Sequence, residues 1–447
     1  MTPLAPTSPA TRRQFLAAGG VGAASLLLAA CGGSDGGSSP SGSAGAKAGA
    51  KPKGNITFTT WGTDAEIKSF RTSIAGFEKA NPGTKVTLRE LPFEEIKQNI
   101  DAGLEADKAP DVFRVTYQDV GFYSTRNALL GIGDYLPANF GDAFIPGLWA
   151  VVQNDGEPVG VPLHTDVSAL VYNKELLRKA GVTSIPTSLD DAWSWEEFLD
   201  ASRKVKAANP GKFGHAFNWQ QAGSYRWMNW LYQAGGSMID ADAKKATLVS
   251  AEGTKTLEFF KTWTDEGLIP PATSPKSTGY PDEIFPAQTF GLLFAGDFLL
   301  ASLADTVKKF DFGAMPLPRD KAAATDLGGN ALVATAGSKN PTTAAAFLQY
   351  MVSETEMKRF CVNAGTLPTR PSLSQQTLDY QVTPELFPIF TQQATTLSEG
   401  IVKASSLPNF TAINQVFTDE LESFVRGKQA TAQTLQNMND GVQKNLS

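Results

Sequence analysis

The hydrophobic pattern downstream of Gly54 switches repeatedly between two periods. The stretch "NITFTTWG" (55–62) alternates β-branched and polar residues with period two, which predicts a strand. The next segment, 64–80, repeats apolar residues at helical spacing, and "NPG" (81–83) predicts its end. "KVTLREL", "FEEIKQNIDAGLEADKAP" and "DVFRV" then read as strand, helix and strand.

This strand–helix–strand–helix–strand series predicts an open parallel sheet with right-handed crossovers. Ligands of such sheets bind at the carboxyl ends of the strands. Two of those ends are "TWGTD" (60–64) and "VTYQD" (115–119), so we expect ligand contacts there.

The middle of the chain continues as mixed α/β. "GEPVGVPLHTDVSALVYNKELLRKAG" (156–181) predicts two strands joined by "HTD", and then a helix capped near Asn173. "SIPTSLDDAWSWEEFLDASRKVKAANPG" (184–211) contains an amphipathic helix. Trp227, Trp230 and Leu231 lie at helical spacing, so at least one of these tryptophans is expected in the core, and the pattern leaves open which one.

The first 54 residues do not follow either period. "TRRQFL" (11–16) fits a twin-arginine export signal, and the apolar run 15–30 is too short and too glycine-rich for a stable membrane span. The run ends in "LLAAC", which resembles a lipobox. Residues 1–30 are therefore predicted to be a twin-arginine lipoprotein signal peptide, with Cys31 as the acylated residue; an uncleaved anchor helix is the alternative. Residues 31–54, rich in Gly, Ser and Ala, read as a flexible tether.

Composition narrows the class of protein. The 447 residues, 42% hydrophobic and 19% charged, are typical of a globular protein of two or three domains. The net charge is −6, and loss of a leader holding two arginines and no acid would make it about −8, which argues against a nucleic-acid partner. Two cysteines are too few for a disulfide framework, and two cysteines with two histidines cannot build a zinc cluster at motif spacing, so we expect no cofactor and no metal. A calcium site made of carboxylates alone stays open, although the sequence contains no "DxDxDG" run.

Several stretches together resemble one family. In chain order they are "PDVFRV", "GVPLHTDVSALVYNKELLRKAG", "SWEEFLDASRKV", "YQAGG", "FGLLFAGDFLL", "GGNALVATAGSKNPTTAAAFLQYMVS" and "NAGTLPTRPSL". With the leader, they make the chain similar to extracellular solute-binding proteins of family 1, the receptor lipoproteins of ABC sugar importers. The resemblance covers essentially the whole chain from Asn55 onward.

The resemblance implies an α/β, two-lobed periplasmic-binding-protein-like fold of type II, with a ligand cleft between lobes joined by a hinge. Lobe 1 would comprise 55–166 and 318–365, and lobe 2 would comprise 167–317 and 366–447. The hinge crossings would be "TDVSALVYN", "AMPLPRD" and the "NAGTLPTRP" region.

The resemblance also implies a function. The chain would capture a mono- or oligosaccharide by hinge closure and deliver it to the transmembrane subunits of an ABC permease. It would be a monomer without enzymatic activity, lipid-anchored at the outer face of the cytoplasmic membrane.

A sugar site needs aromatic platforms for the C–H faces and polar side chains for the hydroxyl rim. Both kinds of side chain occur where the cleft is expected, although Trp61, Tyr117 and His164 also suit a purely structural place in the core. The candidate contacts are Trp61, Gly62, Thr63, Asp64, Thr116, Tyr117, Gln118, His164, Asp166, Trp219, Asp297, Phe298, Asn330 and Arg370.

One candidate departs from the family pattern. Asp297-Phe298 stands where the family often has Pro-Trp, which puts a maltodextrin-like ligand in doubt. A phenyl ring still stacks on a sugar, and Asp297 would accept from a hydroxyl.

Two other functions remain open from the sequence. A secreted glycosidase would need two carboxylates about 5–10 Å apart, for which Asp64 with Asp166 or Asp297 are the candidates. The chain could also be a receptor for a solute other than sugar: a polyamine, a phosphodiester or a peptide. A polyamine site would need acidic and aromatic side chains, and a phosphodiester site would need helix N-termini and arginine. No serine elbow of the "GxSxG" type, placed between a strand and a helix, accompanies His164, which argues against nucleophilic catalysis. The abundance of aromatic residues favours sugar.

Overall fold

The computed structural model describes residues 47–446, which form two main β-sheets flanked by helices. The strands in chain order are β1 (Gly54–Thr60), β2 (Thr84–Glu90), β3 (Val112–Thr116), β4 (Gln153–Asn154), β5 (Glu157–Pro158), β6 (Gly160–His164), β7 (Ser168–Asn173), β8 (Phe213–Ala216), β9 (Phe290–Gly296), β10 (Phe312–Met315) and β11 (Asn330–Ala334). Sheet 1 has the order β2-β1-β3-β11-β6, sheet 2 has the order β10-β7-β9-β8, and β4 pairs with β5 in a short ribbon.

The helices cover the faces of these sheets. They are α1 (Asp64–Ala80), α2 (Phe93–Glu105), α3 (Tyr117–Ser124), α4 (Pro146–Val151), α5 (Lys174–Lys179), α6 (Trp195–Ala208), α7 (Met228–Gln233), α8 (Ala251–Asp265), α9 (Pro281–Ile284), α10 (Leu300–Thr306), α11 (Pro341–Met351), α12 (Glu354–Ala364), α13 (Pro371–Ser374), α14 (Phe387–Ala394), α15 (Glu399–Ser405), α16 (Phe410–Val425) and α17 (Thr431–Lys444). Short 3₁₀ segments lie at Gly133–Tyr135, Phe140–Ala143, Gln221–Trp227, Phe285–Ala287 and Asp297–Leu299.

The first three strands form the predicted parallel sheet. β1 pairs in parallel with both β2 and β3, and α1 and α2 are the crossovers. α1 begins at a capping box in which Thr63 Oγ1 accepts from Glu66 N and the Glu66 carboxylate accepts from Thr63 N. The apolar face of α1, including Phe70 and Phe77, is buried against this sheet, as its helical spacing predicts.

The sheet is completed by a strand from far along the chain. β11 inserts antiparallel between β3 and β6. In sheet 2, β7 is one of the two inner strands and is antiparallel to both β9 and β10, while β8 runs parallel to β9. The molecule therefore has two α/β lobes, one built on each sheet.

Three segments of the chain lie side by side where the sheets meet. Residues 165–167 connect β6 of sheet 1 to β7 of sheet 2. Thr165 forms an antiparallel bridge with Leu367, within the region predicted as the third crossing. Gly328 N donates to Asp166 O at 3.0 Å, so the passage from β10 to β11 meets the first crossing downstream of "AMPLPRD". Arg319, inside that stretch, instead bonds to the backbone at Trp193 and Trp195.

The core of the second lobe is dense with aromatic rings. Trp227 and Trp230 are both fully buried, so neither lies in the cleft. The Trp230 and Trp263 ring centroids are 5.2 Å apart at an angle of 73°, an edge-to-face arrangement. α15 lies near the end of the chain but packs on the first lobe: it contacts α4, and its Ile401 belongs to the apolar cluster of that lobe.

The predicted signal peptide and Cys31 lie outside the described residues. Lys47 and Lys53, within the predicted tether, contact the folded body: Lys47 N donates to Asp134 O at 2.8 Å and Lys53 N to Thr343 Oγ1 at 2.9 Å. Cys361 is a free, buried thiol in α12. Within residues 47–446, no helix combines the length and the apolar character needed to cross a bilayer.

Candidate functional site

A cavity of about 1050 Å³ lies between elements of the two sheets. Its wall includes the carboxyl ends of the first three strands at Trp61, Leu91 and Thr116, as expected for ligand sites of parallel sheets. Residues following β8 and β9, the starts of α9 and α16, and the residues that lead into β11 form the rest of the wall. The volume is at the upper end of pockets for small ligands, which run to about 1,000 Å³.

Eight of the candidate contacts line this cavity. They are Trp61, Gly62, Thr63, Thr116, Gln118, Asp166, Phe298 and Asn330. Both lobes contribute, and Asp166 comes from the crossing between them. These eight residues therefore share one cavity, and their contact with a ligand stays a prediction.

Two neighbouring side chains on the cavity wall hold the Trp61 ring in place. The Arg114 guanidinium lies 4.6 Å from the ring centroid, and Arg114 Nη1 donates to Trp61 O at 2.8 Å. The Phe93 ring centroid lies 5.4 Å away at 57°. A cation against one face and an aromatic neighbour leave the indole a fixed surface on the cavity wall.

Arg114 also belongs to a buried polar chain that reaches the hinge. Its Nη2 donates to Glu66 Oε1 at 2.5 Å and to His164 Nε2 at 2.8 Å. Because the guanidinium has only donors, Nε2 must accept, and the geometry assigns the imidazole hydrogen to Nδ1, which donates to Asp166 Oδ1 at 3.1 Å. His164 is fully buried and does not line the cavity; instead it fixes Asp166, which does.

Tyr117 and Gln118, at the end of β3, have side chains in different environments. Tyr117 is fully buried and its hydroxyl donates to His164 O at 3.0 Å, so it packs under the sheet instead of reaching the cavity. Gln118 lines the cavity, and its Nε2 donates to Leu327 O at 2.6 Å across to the second crossing.

The side chains of Asp297 and Phe298 also lie in different environments. Asp297 is fully buried and accepts from Val167 N at 2.8 Å, so it supports the hinge and does not contact the cavity. Burial, together with the nearby Asp166 carboxylate, raises the pKa of Asp297 well above its usual range. Phe298 reaches the wall because residue 296 is glycine: a Cβ there would lie 2.3 Å from the Phe298 ring.

Three further candidates lie away from the cavity. Asp64 is exposed as the first residue of α1, where it faces the positive end of the helix dipole. Trp219 is fully buried, and its Nε1 donates to Thr273 O at 2.6 Å. Arg370 donates through Nε to Val352 O at 2.7 Å and stacks 4.7 Å from the Phe144 ring. These positions remove Asp64 and Asp297 from the carboxylate pairs that a glycosidase would have needed.

The cavity wall also contains residues that the sequence reasoning missed. They are chiefly Phe93, Glu94, Asn218, Gln220, Tyr225, Arg226, Tyr280, Asp282, Asp326 and Phe410. Phe93 and Glu94 follow the carboxyl end of β2, so the rule applied to β1 and β3 would have found them. The remainder lie on connections and helix starts whose convergence depends on the tertiary fold.

Charged and amide side chains meet here at Asp326, which lies in the passage from β10 to β11. Arg226 Nε lies 3.3 Å from Asp326 Oδ2, and Asn229 Nδ2 donates to Asp326 Oδ1 at 2.8 Å. Gln220 is buried, and neither atom of its amide has a hydrogen-bond partner among residues 47–446. Buried polar groups normally have partners, so an unpartnered amide on a cavity wall is typical of a ligand site.

A metal site is not assembled in the part of the chain described. No group of three His, Cys, Asp or Glu side chains with suitable spacing occurs within residues 47–446.

Curated proteins with similar sequences are binding proteins. The Streptomyces coelicolor diacetylchitobiose-binding protein DasA is 24% identical over 376 residues, covering 81% of this chain and 83% of that protein. The Bacillus subtilis maltodextrin-binding protein MdxE is 24% identical over 391 residues, covering 84% of this chain and 85% of that protein.

Solved structures share the fold. The GacH receptor of Streptomyces glaucescens GLA.O, described unliganded and with acarbose, matches with a TM-score of 0.76 and 22% identity over 88% of this chain and 98% of that one. The Thermus thermophilus maltotriose-binding protein gives a TM-score of 0.70 and 22% identity, covering 88% of this chain and 100% of that one. The family model for bacterial extracellular solute-binding proteins matches residues 61–358. The chain belongs to the bacterial extracellular solute-binding protein family.

Proposed function

We propose that this protein captures a carbohydrate, a mono- or oligosaccharide, between its two lobes and delivers it to an ABC permease. The observation that carries the proposal is the interlobe cavity, which combines aromatic surfaces at Trp61 and Phe298 with the unpartnered Gln220 amide. Aromatic faces suit sugar C–H groups, and amides suit the hydroxyl rim. The names of DasA and MdxE assign saccharide ligands to those relatives.

The eight cavity-lining candidates form the proposed contact set. Trp61, held by Arg114, would be the main stacking platform, and Phe298 would cover a smaller area on the opposite lobe. Asp166 and Asn330 lie beside the crossings, so ligand contacts there would favour the closed arrangement of the lobes.

Anchoring and location follow from the leader. Extracellular solute-binding proteins act outside the cytoplasmic membrane. The "TRRQFL" and "LLAAC" motifs support export by the twin-arginine route and acylation at Cys31. A diacylglyceryl group with a further acyl chain supplies three hydrophobic chains, enough for durable attachment. The proposed partners are accordingly the lipid bilayer and the transmembrane subunits of the permease.

A thermal-shift screen against mono- and oligosaccharides tests the carbohydrate proposal. A ligand that binds only the folded protein raises the melting temperature in proportion to the logarithm of its concentration. We expect at least one saccharide to do so, and Trp61→Ala to weaken its affinity about tenfold or more, since a buried aromatic contact contributes about 2 kcal/mol.

Trp149→Ala is the matched control, since Trp149 stacks on Phe144, with ring centroids 5.5 Å apart, and does not line the cavity. Its saccharide affinity should equal that of the wild type. A full screen without a saccharide hit would overturn the carbohydrate proposal. A hit whose affinity is unchanged by Trp61→Ala would overturn the contact set alone.

A further inference from the structure

The cavity wall is rich in negative charge. Seven carboxylates line it, against three cations, among the residues that the structure describes. The acids are Glu66, Glu90, Glu94, Asp119, Asp166, Asp282 and Asp326, and the cations are Lys97, Arg114 and Arg226. An excess of carboxylates in a cleft produces a negative electrostatic potential there, which attracts cationic ligands.

Each cation on the wall already has a carboxylate beside it. Arg114 is 2.5 Å from Glu66, Arg226 is 3.3 Å from Asp326, and Lys97 is 3.6 Å from Asp119. A ligand carboxylate or phosphate would therefore have to compete with a protein carboxylate for every one of these positive groups.

The remaining acids have few positive partners. No Lys or Arg nitrogen within residues 47–446 lies within 4.0 Å of the carboxylates of Glu94, Asp166 or Asp282. Asp166 accepts from His164 and is only 8% exposed. Burial raises the pKa of Asp282, and the positive charge of Arg226, which pairs at closer range with Asp326, offsets this only in part.

Aromatic and amide groups surround these acids. Tyr225, Tyr280 and Phe298 line the same wall on the second lobe. Aromatic faces attract ammonium groups, and acids combined with aromatics are the usual means of binding organic cations. The unpartnered and buried Gln220 amide is an independent sign that a polar ligand group belongs here.

We propose that the ligand is an aminated carbohydrate, a saccharide carrying a protonated amine whose charge is balanced by Asp166 and Asp282. The inference rests on the carbohydrate function proposed above and narrows its substrate class. A hydrogen bond to a charged group contributes about 1.5–3 kcal/mol, which corresponds to about tenfold or more in affinity. The excess of unpaired acids would also reject uronic acids and sugar phosphates.

The test uses three β-1,4-linked tetrasaccharides that differ only at carbon 2: glucosamine (ammonium), N-acetylglucosamine (acetamide) and glucose (hydroxyl). Binding to the full chain is measured by isothermal titration at about pH 6, with low and raised salt. We expect the ammonium oligomer to bind about tenfold more tightly than both neutral ones, with an advantage that shrinks in salt. Asp282→Asn should remove most of the advantage without lowering the melting temperature, because the carboxyl that it replaces forms no close ion pair with a Lys or Arg among the described residues.

Asp305→Asn is the matched control, since the Asp305 side chain is 89% exposed and outside the cavity; it should keep the full preference. Equal or tighter binding of a neutral oligomer would overturn the inference and leave the carbohydrate function standing. A preference unaffected by Asp282→Asn would overturn the assignment of the charge to this wall. Binding of spermidine without any saccharide would overturn both proposals.

Discussion

Trp219 illustrates how one side chain can serve the fold and not the ligand. It is fully buried, its ring centroid is 5.3 Å from that of Phe260, and its Nε1 bonds to Thr273 O. We expect Trp219→Ala to lower the free energy of unfolding by about 3–5 kcal/mol, the usual cost of deleting a buried Trp, as measured by urea denaturation. Saccharide affinity of the folded fraction should stay within about twofold of the wild type.

Trp219→Phe is the accompanying control, because it keeps an aromatic ring and should recover much of the lost stability. A Trp219→Ala variant with normal stability and weak ligand binding would contradict this assignment.

Sequence alone could not separate Trp219 from Trp61. Each follows a short strand, β8 in one case and β1 in the other. The two tryptophans differ in their surroundings: Trp219 packs against Phe260 of α8 in the core, whereas Trp61 packs against Arg114 on the wall of the cavity. These neighbours lie about 40 and 50 residues away in the chain, so no local pattern reports them. The sequence likewise could not separate the roles of His164 and Asp166. Only the hydrogen bonds of the folded protein show that His164 supports Asp166, which lies on the cavity wall.

Strand β8 places a histidine inside the aromatic core of the second lobe, with a consequence for acid stability. His215 is fully buried, Ser202 Oγ is 2.8 Å from its Nδ1, and Nε2 has no partner among the described residues. Burial lowers the pKa of His215 from 6.5 to about 3. Between these pH values the unfolded chain binds a proton that the folded protein does not, so stability falls as the pH decreases, by about 1.4 kcal/mol per unit.

Urea denaturation between about pH 4 and pH 7 checks this expectation. His215→Gln should reduce the slope of the free energy of unfolding against pH by an amount close to the uptake of one proton on unfolding. Ser202→Ala should lower stability without changing that dependence, because it leaves the imidazole in place. Parallel pH profiles for the wild type and His215→Gln would show that His215 does not control acid stability.

Elements with local signals were predictable, and those built by distant pairing were not. β1, α1, β2, α2 and β3 follow the periods of their own residues and match the predicted order. The insertion of β11 between β3 and β6 was not predictable, because it depends on residues more than 160 positions earlier in the chain. The contact of α15 with α4 is equally invisible in the sequence, because an amphipathic helix does not specify which apolar surface it covers.

At the scale of the molecule, the two lobes touch directly beside the cavity. Thr411 Oγ1 of α16 donates to Asp119 Oδ1 of α3 at 2.7 Å, and a Cβ at Gly121 would lie 3.0 Å from Pro408 Cα. α16 otherwise packs on α17 and α8 of the second lobe. A hinge opening would break the Thr411–Asp119 bond while leaving the core of each lobe intact, so the bond stabilises the closed arrangement relative to an open one.

Thr411→Val removes the hydroxyl and keeps the shape of the side chain. A hydrogen bond contributes about 0.5–1.5 kcal/mol, so we expect saccharide affinity to fall about two- to tenfold, with unfolding of the ligand-free protein unchanged. Small-angle scattering should show a larger radius of gyration at subsaturating ligand, because fewer molecules are closed. Thr72→Val on the exposed face of α1, where Oγ1 donates only to Lys68 O, should leave affinity and scattering unchanged. If Thr411→Val binds as tightly as the wild type, this contact does not form part of the bound state, and closure must depend on the ligand and the crossings alone.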